Sequence, residues 1–235
     1  MSERFEAQLA ASPMLDWSHS EVAAFTREHH DPAAGAIERA VRLYYAVRDG
    51  IRYDPYTSGV TRETLRASAV LEAGRSWCVG KAVLLAACCR GAGIPARLGF
   101  ADVRNHLSTA RLRAIMGTDV FYWHGYAVLH LDGRWVKATP AFNIELCEKF
   151  GLLPLDFDGR HDSLYHPFDR EGQQHMEYVN ERGEFDDPPV EAMLATWKEK
   201  YRFAGAAEGR LAEAVEGDFD REVEDETRDG GQGQA

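Results

Sequence analysis

Residues 74–97 read GRSWCVGKAVLLAACCRGAGIPAR, and they indicate the fold more clearly than any other segment of the chain. Its first four residues predict a turn that leads directly into Cys78. From Cys78 to Arg90, apolar and small side chains recur at helical spacing, which predicts a helix. Because small side chains let a helix approach its neighbours closely, we expect this helix to be central. The segment Gly91-Ala92-Gly93 is expected to end it.

Cys78 is a candidate nucleophile because of its position. A cysteine in the first turn of a helix lies among backbone N–H groups without helical partners, at the positive end of the dipole. Both effects favour the thiolate, and the same N–H groups can receive an oxyanion during acyl transfer. The alternative is a small apolar core residue. Core filling is the expectation for Cys88 and Cys89, near the other end of the helix, and for Cys147.

The rest of the chain predicts helices before this segment and strands after it. Asp132-Gly133 is a hairpin signal that joins two of the strands. The predicted helices cover about 20–29, 31–50, 61–71 and 189–203. The predicted strands cover about 97–103, 125–131 and 134–138, with a short extended piece at 51–55.

His124 is the second candidate, at the entrance to a predicted strand and within the aromatic segment 121–126. A thiol nucleophile needs an imidazole within hydrogen-bond reach as its base. The alternative is a histidine that only packs within an aromatic cluster. Gly125 lets a neighbouring backbone or a substrate approach, which favours the functional interpretation.

Composition limits the classes of function. The chain has 235 residues, 45% of them apolar, so it can bury a sizeable core. Its formal charge of −11 disfavours nucleic-acid and membrane-surface partners. Four cysteines are too few for a disulfide scaffold. The N-terminal residues lack the basic and apolar regions of a secretory signal, so the expected location is the cytoplasm.

Several segments together resemble the transglutaminase-like superfamily. Residues 77–82, which include Cys78, are followed by CRGAGIPAR at 89–97, similar to the nucleophile helix and the turn after it in that family. The resemblance covers roughly residues 40–143. Its other segments are residues 47–53, upstream of this core, residues 124–128, similar to the family's histidine strand, and residues 133–140, similar to its aspartate strand.

The resemblance implies an α+β, papain-like fold in which the helix bearing Cys78 packs on an antiparallel sheet, with additional N-terminal helices. It makes Cys78 the nucleophile and His124 the general base. The family's usual aspartate position holds Thr139, which can accept a hydrogen bond from imidazole but carries no negative charge. Asn143 and Asp119 are the alternatives for this third position.

The expected reaction is thiol-dependent acyl transfer on a peptide, amide or ester, and hydrolysis is favoured over crosslinking because many bacterial relatives resemble peptidases and amidases. No cofactor is implied, and the oligomeric state is left open. Trp77 and Trp123 are expected to line the cleft, and Asn105-His106 is a weaker candidate for it. The alternative function is a binding or scaffold module on the same fold that has lost catalysis, which Thr139 favours.

The expected organisation is a single domain at 1–205 with a lid-like region at about 144–188. This region holds His161, His166 and His175, but their spacing fits no metal-site template. We therefore expect no metal. Residues 206–235 are acidic and are expected to form a disordered tail.

Overall fold

The computed structural model describes residues 3–56, 61–105, 108–164, 176–201 and 218–231. After a short 3-10 helix (Glu3–Phe5), the helices are α1 (Glu6–Leu9), α2 (Ser20–Glu28), α3 (Ala36–Gly50), α4 (Ala67–Ala73), α5 (Cys78–Gly91), α6 (Ala110–Met116), α7 (Ile144–Lys149), α8 (Val190–Lys200) and α9 (Phe219–Gly231). The strands are β1 (Arg52–Tyr53), β2 (Arg75–Ser76), β3 (Ala96–Asn105), β4 (Val120–Leu131), β5 (Arg134–Ala138) and β6 (Met176–Phe185).

Four strands form an antiparallel sheet in the order β5-β4-β3-β6. The predicted hairpin between β4 and β5 is present. Asp132 has a φ of 47° and Gly133 a φ of 85°, the two positive values that a tight hairpin turn of this kind requires. Separately, β1 and β2 form a short parallel pair in which Tyr53 lies beside Ser76.

Helix α5 is the centre of the molecule, as the sequence predicts. It packs against β3 and β4 on one side and against α2, α3 and α4 on the others. Every residue from Cys78 to Arg90 is buried. A helix that is covered all round has no polar face, which explains its run of alanine, valine and leucine.

Two N-terminal helices begin later than the sequence predicts, because polar side chains first close local turns. Asp31 accepts a hydrogen bond from the Ala33 N–H through Oδ1, at 2.9 Å, so α3 starts only after Gly35. Thr61 and Thr64 each donate a backbone N–H to the other's hydroxyl oxygen. Helix α4 therefore starts at Ala67.

The described part of residues 144–188 differs from the expected lid. Strand β6 extends the sheet at the edge of β3. Ser163 forms a bridge with Ala138, and the Leu155 carbonyl accepts hydrogen bonds from Tyr44 and Arg48 of α3. These contacts fix the segment to the rest of the fold. The periodicity of its sequence does not predict them.

The expectation of a disordered tail is corrected for residues 219–231, which form α9. Phe219 is 4% exposed and Val223 is 1% exposed, so both belong to the core. The acidic composition of the tail concealed these two apolar residues, which lie four apart and therefore on one helix face. Within the described ranges, no helix has the length and apolar character needed to cross a bilayer.

Candidate active site

Cys78 is the first residue of α5, and Trp77 occupies the N-cap position. The chain turns tightly here because Gly80 has no side chain. A Cβ at Gly80 would lie 2.1 Å from Ser76 Oγ. Ser76 therefore lies close against the first turn of the helix, and Cys78 is at its N-terminal end, as the sequence predicts.

Strand β4 reaches the first turn of α5 at Gly125. A Cβ on Gly125 would lie 3.0 Å from Val79 Cα, which is a backbone atom and has little freedom to move. The backbone N–H of Gly125 is one of the groups that favour the Cys78 thiolate. The expectation that Gly125 admits a neighbouring backbone is therefore confirmed: the residue directly after His124 contacts Val79, the residue directly after Cys78.

Burial raises the pKa of the Cys78 thiol to about 11, although the backbone N–H groups of Gly125, Val79 and Cys78 lower it. The residue is only 4% exposed. Removing water disfavours the charged thiolate, and here this effect outweighs the donors at the helix end. The predicted low pKa is therefore wrong for this closed site.

His124 lies on β4 opposite Ala101 of β3 and is 4% exposed. Burial lowers the pKa of its imidazole to about 3. Because burial moves the thiol pKa up and the imidazole pKa down, both groups are neutral near pH 7. The candidate nucleophile is therefore a neutral thiol and the candidate base a neutral imidazole.

Thr139, in the position where the family has aspartate, directly follows β5. Its N–H donates to the Ser163 carbonyl and its own carbonyl accepts from the Tyr44 hydroxyl, both at 3.0 Å. Its side-chain oxygen is buried and has no hydrogen-bond partner among the described residues. The backbone is thus fixed on both sides, while the hydroxyl is available to a polar neighbour.

The two alternatives for the third position have other contacts. Asn143 accepts a hydrogen bond from the Tyr53 N–H through Oδ1, at 3.1 Å, and so connects the start of α7 to β1. The Asp119 carboxylate forms an ion pair with Arg104 at 3.2 Å and is half exposed. Both contacts are structural roles for these side chains.

Trp197 of α8 and Tyr201, the residue directly after that helix, contact Trp77, the residue before Cys78, and Tyr122; we call these two residues the α8 cover. The Trp197 ring is 5.3 Å from the Trp77 ring, and its Nε1 donates to the Tyr122 carbonyl at 2.9 Å. The Tyr201 hydroxyl accepts the Tyr122 N–H at 2.7 Å. Burial raises the pKa of Tyr201, and the nearby Cys78 charge contributes to this shift. Both backbone groups of Tyr122 are therefore bound by the cover.

Trp123, the other expected cleft residue, has a φ of 63°, an uncommon value for a non-glycine residue. Asp102 and Arg182 hold it there. Asp102 accepts the Trp123 N–H at 3.1 Å and pairs with Arg182 at 2.8 Å, while Arg182 lies 4.9 Å from the Trp123 ring centre. Sequence reasoning missed Asp102, although a carboxylate inside an apolar strand pattern already requires a buried partner.

Lys81 was also missed, three residues after Cys78 on α5. Its side chain is fully buried, and Nζ donates to the carbonyls of Arg48 and Ile51, at 2.8 Å and 2.5 Å. Burial lowers the pKa of Lys81 to about 7. The amine satisfies carbonyls at the end of α3, which fixes α3 against the helix that carries the thiol.

The remaining candidate residues provide little evidence for a role in the site. Asn105 lies at the end of β3, while His106, His166 and His175 lie outside the described residues. His161 is exposed and pairs with Asp158, with Nδ1 2.7 Å from Oδ2. Across the described parts of the chain, no group of three or more His, Cys, Asp or Glu is arranged to hold a metal ion.

The fold and the site together define a class: a cysteine at the start of a buried central helix, against an antiparallel sheet that carries a histidine. A profile of the transglutaminase-like superfamily matches residues 22–140, half of the chain. The chain therefore belongs to the transglutaminase-like superfamily, and the matched region includes Cys78, His124 and Thr139. The α+β prediction is confirmed. Membership of this superfamily supports the general prediction of a thiol-dependent enzyme.

Two solved structures are similar to this chain. One is named "Putative Cysteine Protease from Cytophaga hutchinsonii", with 14% identity, a TM-score of 0.46, and coverage of 60% of this chain and 43% of the other. The second is a "putative protease" from Parabacteroides distasonis, with 18% identity, a TM-score of 0.38, and coverage of 56% and 25%. This chain thus spans less than half of each. The search of curated proteins gave no match.

Proposed function

We propose that the protein is a thiol-dependent hydrolase of a peptide, amide or ester, with Cys78 as nucleophile and His124 as general base. The observation that carries the proposal is the close contact between Gly125, directly after His124, and Val79, directly after Cys78. This contact brings the strand that bears the imidazole to the end of the helix that bears the thiol.

In this mechanism His124 takes the proton of the Cys78 thiol as the sulfur attacks the substrate carbonyl and a carbon–sulfur bond forms. The Cys78 N–H, at the helix N-terminus, receives the oxyanion. The imidazolium returns the proton to the leaving amine or alcohol, and the carbon–nitrogen or carbon–oxygen bond breaks. Water, deprotonated by His124, then attacks the thioester, the carbon–sulfur bond breaks, and the thiol is restored.

Because both groups are neutral in the closed site, the proton moves during the attack and not before substrate arrives. Admission of substrate or water beneath the α8 cover reduces the burial that shifts the two pKa values. The thiol pKa then falls and the imidazole pKa rises, so opening the site also activates it.

The first test traps the acyl-enzyme. The protein is mixed with p-nitrophenyl acetate, quenched in acid, and mapped by peptide mass spectrometry. We expect acetyl on Cys78, decaying as acetate is released. Cys88→Ala is the control and should acylate normally. No acetyl on Cys78, in the wild type or in a variant with a loosened cover, contradicts the proposal.

The second candidate function is a binding module without catalysis, favoured by the burial of Cys78 and by the missing carboxylate at Thr139. Substitutions of Thr139 distinguish the hydrolase from the binding module. If Thr139 holds the third position, Thr139→Asp should increase turnover about tenfold, because a carboxylate there stabilises imidazolium. Thr139→Asn, which adds no charge, should not. Equal rates in all three proteins argue against this role for residue 139.

A further inference from the structure

A β-bulge lies directly before His124 on β4. Ala101 of β3 pairs with His124, and the residue two positions later on β3 pairs with Phe121, three positions earlier on β4. The single residue Asp102 is therefore opposite two residues of β4, and Trp123 is the one next to His124. Because an extra residue reverses the alternation of side chains along its strand, the bulge decides which face of the sheet receives His124.

The bulge includes a left-handed backbone conformation at Trp123. Its φ of 63° is unfavourable for a bulky side chain, because Cβ then approaches the following carbonyl oxygen. A residue stays in such a conformation only when its surroundings hold it there. If Trp123 relaxed to an extended conformation, the peptide group that it shares with His124 would rotate, and the imidazole would turn with it.

Asp102 holds the Trp123 backbone. The residue is 4% exposed, and its Oδ1 accepts the Trp123 N–H at 3.1 Å. Arg182 of β6 binds both carboxylate oxygens, Oδ1 through Nε at 2.9 Å and Oδ2 through a terminal nitrogen at 2.8 Å. A carboxylate held by two donors of one guanidinium group has a fixed orientation, and moving it would leave a buried charge unpaired. Asp102 is thus a rigid acceptor for one backbone N–H.

The Trp123 side chain is held as well. Its ring centre lies 4.9 Å from the Arg182 guanidinium carbon, so Arg182 contacts both the carboxylate and the ring. The indole Nε1 donates to Thr196 Oγ1 of α8 at 2.9 Å. The conformation of the residue before His124 is therefore fixed by contacts from three elements, β3, β6 and α8.

We propose that Asp102 is a positioning residue for the general base: by fixing the bulge at Trp123, it holds the His124 imidazole in the orientation that accepts the Cys78 proton. This assignment rests on the proposed function, since Asp102 acts on turnover only through His124. The carboxylate acts through one peptide unit and needs no contact with the substrate. The imidazole is then oriented from its backbone side, although residue 139 carries no carboxylate.

The first experiment observes the His124 ring itself, by NMR titration of the full-length protein labelled with ¹³C-histidine. Burial lowers the pKa of this imidazole to about 3 in the wild type. We expect Asp102→Ala to raise it towards the ordinary 6.5, because a ring that leaves its fixed position reaches water. Asp102→Asn keeps an oxygen that accepts the Trp123 N–H, and its His124 pKa should stay near the wild-type value. An unchanged His124 titration in Asp102→Ala overturns the proposal.

Glu184→Ala is the matched control. Glu184 of β6 pairs with Arg97 of β3 at 3.4 Å, so this substitution removes a carboxylate–arginine pair between the same two strands, away from the bulge. The His124 titration and turnover should both stay at their wild-type values, and urea unfolding measures the stability of each variant. Equal effects of Glu184→Ala and Asp102→Ala would show a general loss of sheet stability and contradict a specific role for Asp102.

Arg182→Gln provides the same test if Asp102→Ala does not fold. The Arg182 side chain is 24% exposed, so its loss is less disruptive than loss of the buried carboxylate. Asp102 then keeps its contact with the Trp123 N–H but loses the two donors that fix it. We expect the pKa of His124 to rise by a smaller amount and kcat to fall about threefold. No change in either quantity argues against the proposal.

The second experiment connects the position of the ring to turnover. Stopped flow measures acylation of Cys78 by p-nitrophenyl acetate in the wild type, Asp102→Ala and Asp102→Asn. We expect Asp102→Ala to lower the limiting rate roughly 10- to 100-fold with KM within about twofold, and Asp102→Asn to recover most of the rate, because the base and not substrate binding is affected.

The outcomes separate this assignment from the proposed function. Equal acylation rates in the wild type and Asp102→Ala overturn the positioning role and leave the chemistry of Cys78 intact. No acyl group on Cys78 in any of the three proteins, together with a changed His124 titration in Asp102→Ala, overturns the proposed function and leaves Asp102 as a residue that only orients the ring.

Discussion

The two ends of helix α5 each bury a thiol, Cys78 at the first residue and Cys88 in the last turn. Burial raises the pKa of both, to about 11 for Cys78 and to about 12 for Cys88. The favourable N-terminal position of Cys78 therefore does not produce a low pKa. Access to water, more than position on the helix, therefore sets the protonation state of these thiols.

What differs between the two ends is their surroundings. Cys78 receives backbone N–H groups and lies beneath the α8 cover, near a histidine strand. Cys88 lies against α2, where the Thr26 hydroxyl is its polar neighbour. Under the proposed function, opening of α8 exposes the Cys78 thiol to substrate and to His124 together.

The largest expected effect is on turnover. Cys78→Ala should lower kcat/KM for an activated ester by at least about 10³-fold, because the nucleophile is lost. Cys88→Ala removes one buried sulfur from the same helix and should leave turnover per folded molecule unchanged. Steady-state assays of both variants, with folding checked by circular dichroism, make the comparison. Similar losses of turnover in both variants would contradict a catalytic role that is specific to Cys78.

His124→Ala should lower kcat by about 10²- to 10⁴-fold, the usual contribution of a general base. His130 is on the same strand, where it packs edge-on against Trp135 with ring centres 5.1 Å apart, and His130→Ala is the control. The control should retain most activity. Stopped-flow acylation measures the step directly, and a normal rate in His124→Ala would exclude His124 as the base.

Loosening the α8 cover should increase the difference in reactivity between Cys78 and Cys88. Trp197→Phe removes the hydrogen bond to the Tyr122 carbonyl and part of the ring. This lowers the free energy that favours the closed position of the cover by roughly 1–2 kcal/mol. Alkylation of Cys78 by iodoacetamide should therefore be about tenfold faster, with no change at Cys88. Lys198→Ala, on the exposed side of α8, is the control. Faster alkylation of both cysteines would indicate general unfolding.

The last expected effect is on stability, and it is spread over several pH units. The pKa of His124 is about 3 in the folded protein against an ordinary 6.5, so between these values the unfolded chain binds a proton that the folded protein does not. The free energy of unfolding should therefore rise with pH across this window, by at most about 1.36 kcal/mol per unit. This contribution is lost as the pH falls from 6.5 towards 3.

Urea unfolding at pH 4, 5, 6 and 7 measures this dependence. The wild type and His124→Asn should differ in slope, because asparagine does not titrate. His130→Asn, at a partly exposed position, should change the slope less. Parallel curves for the wild type and His124→Asn would show that burial does not shift the His124 pKa as described.

The sequence predicted those features that depend on neighbouring residues. The helix from Cys78, the close approach at Gly125 and the hairpin after β4 all follow from local composition and spacing. Features with distant partners were missed, because their signals lie far apart in the chain. Asp102 finds Arg182 eighty residues away, and α9 depends on only two apolar residues in an acidic stretch.

The pKa of Cys78 is a second case in which distant residues decide a property that the local sequence does not predict. The local sequence places the thiol at a helix N-terminus and therefore predicts a thiolate. Trp197 and Tyr201, more than a hundred residues later, bring the cover that excludes water. No local pattern around Cys78 indicates that these residues contact Trp77 and Tyr122, so the direction of the shift required the structure.

The most direct test of this account is the pH dependence of iodoacetamide alkylation at each cysteine of the native protein, determined by peptide mass spectrometry. We predict that Cys78 reacts slowly at neutral pH, with an apparent pKa near 11, and that Cys88 reacts still more slowly. An apparent pKa for Cys78 below the ordinary value of about 8.5 would contradict the account. It would show that the helix N-terminus, and not burial, governs the thiol.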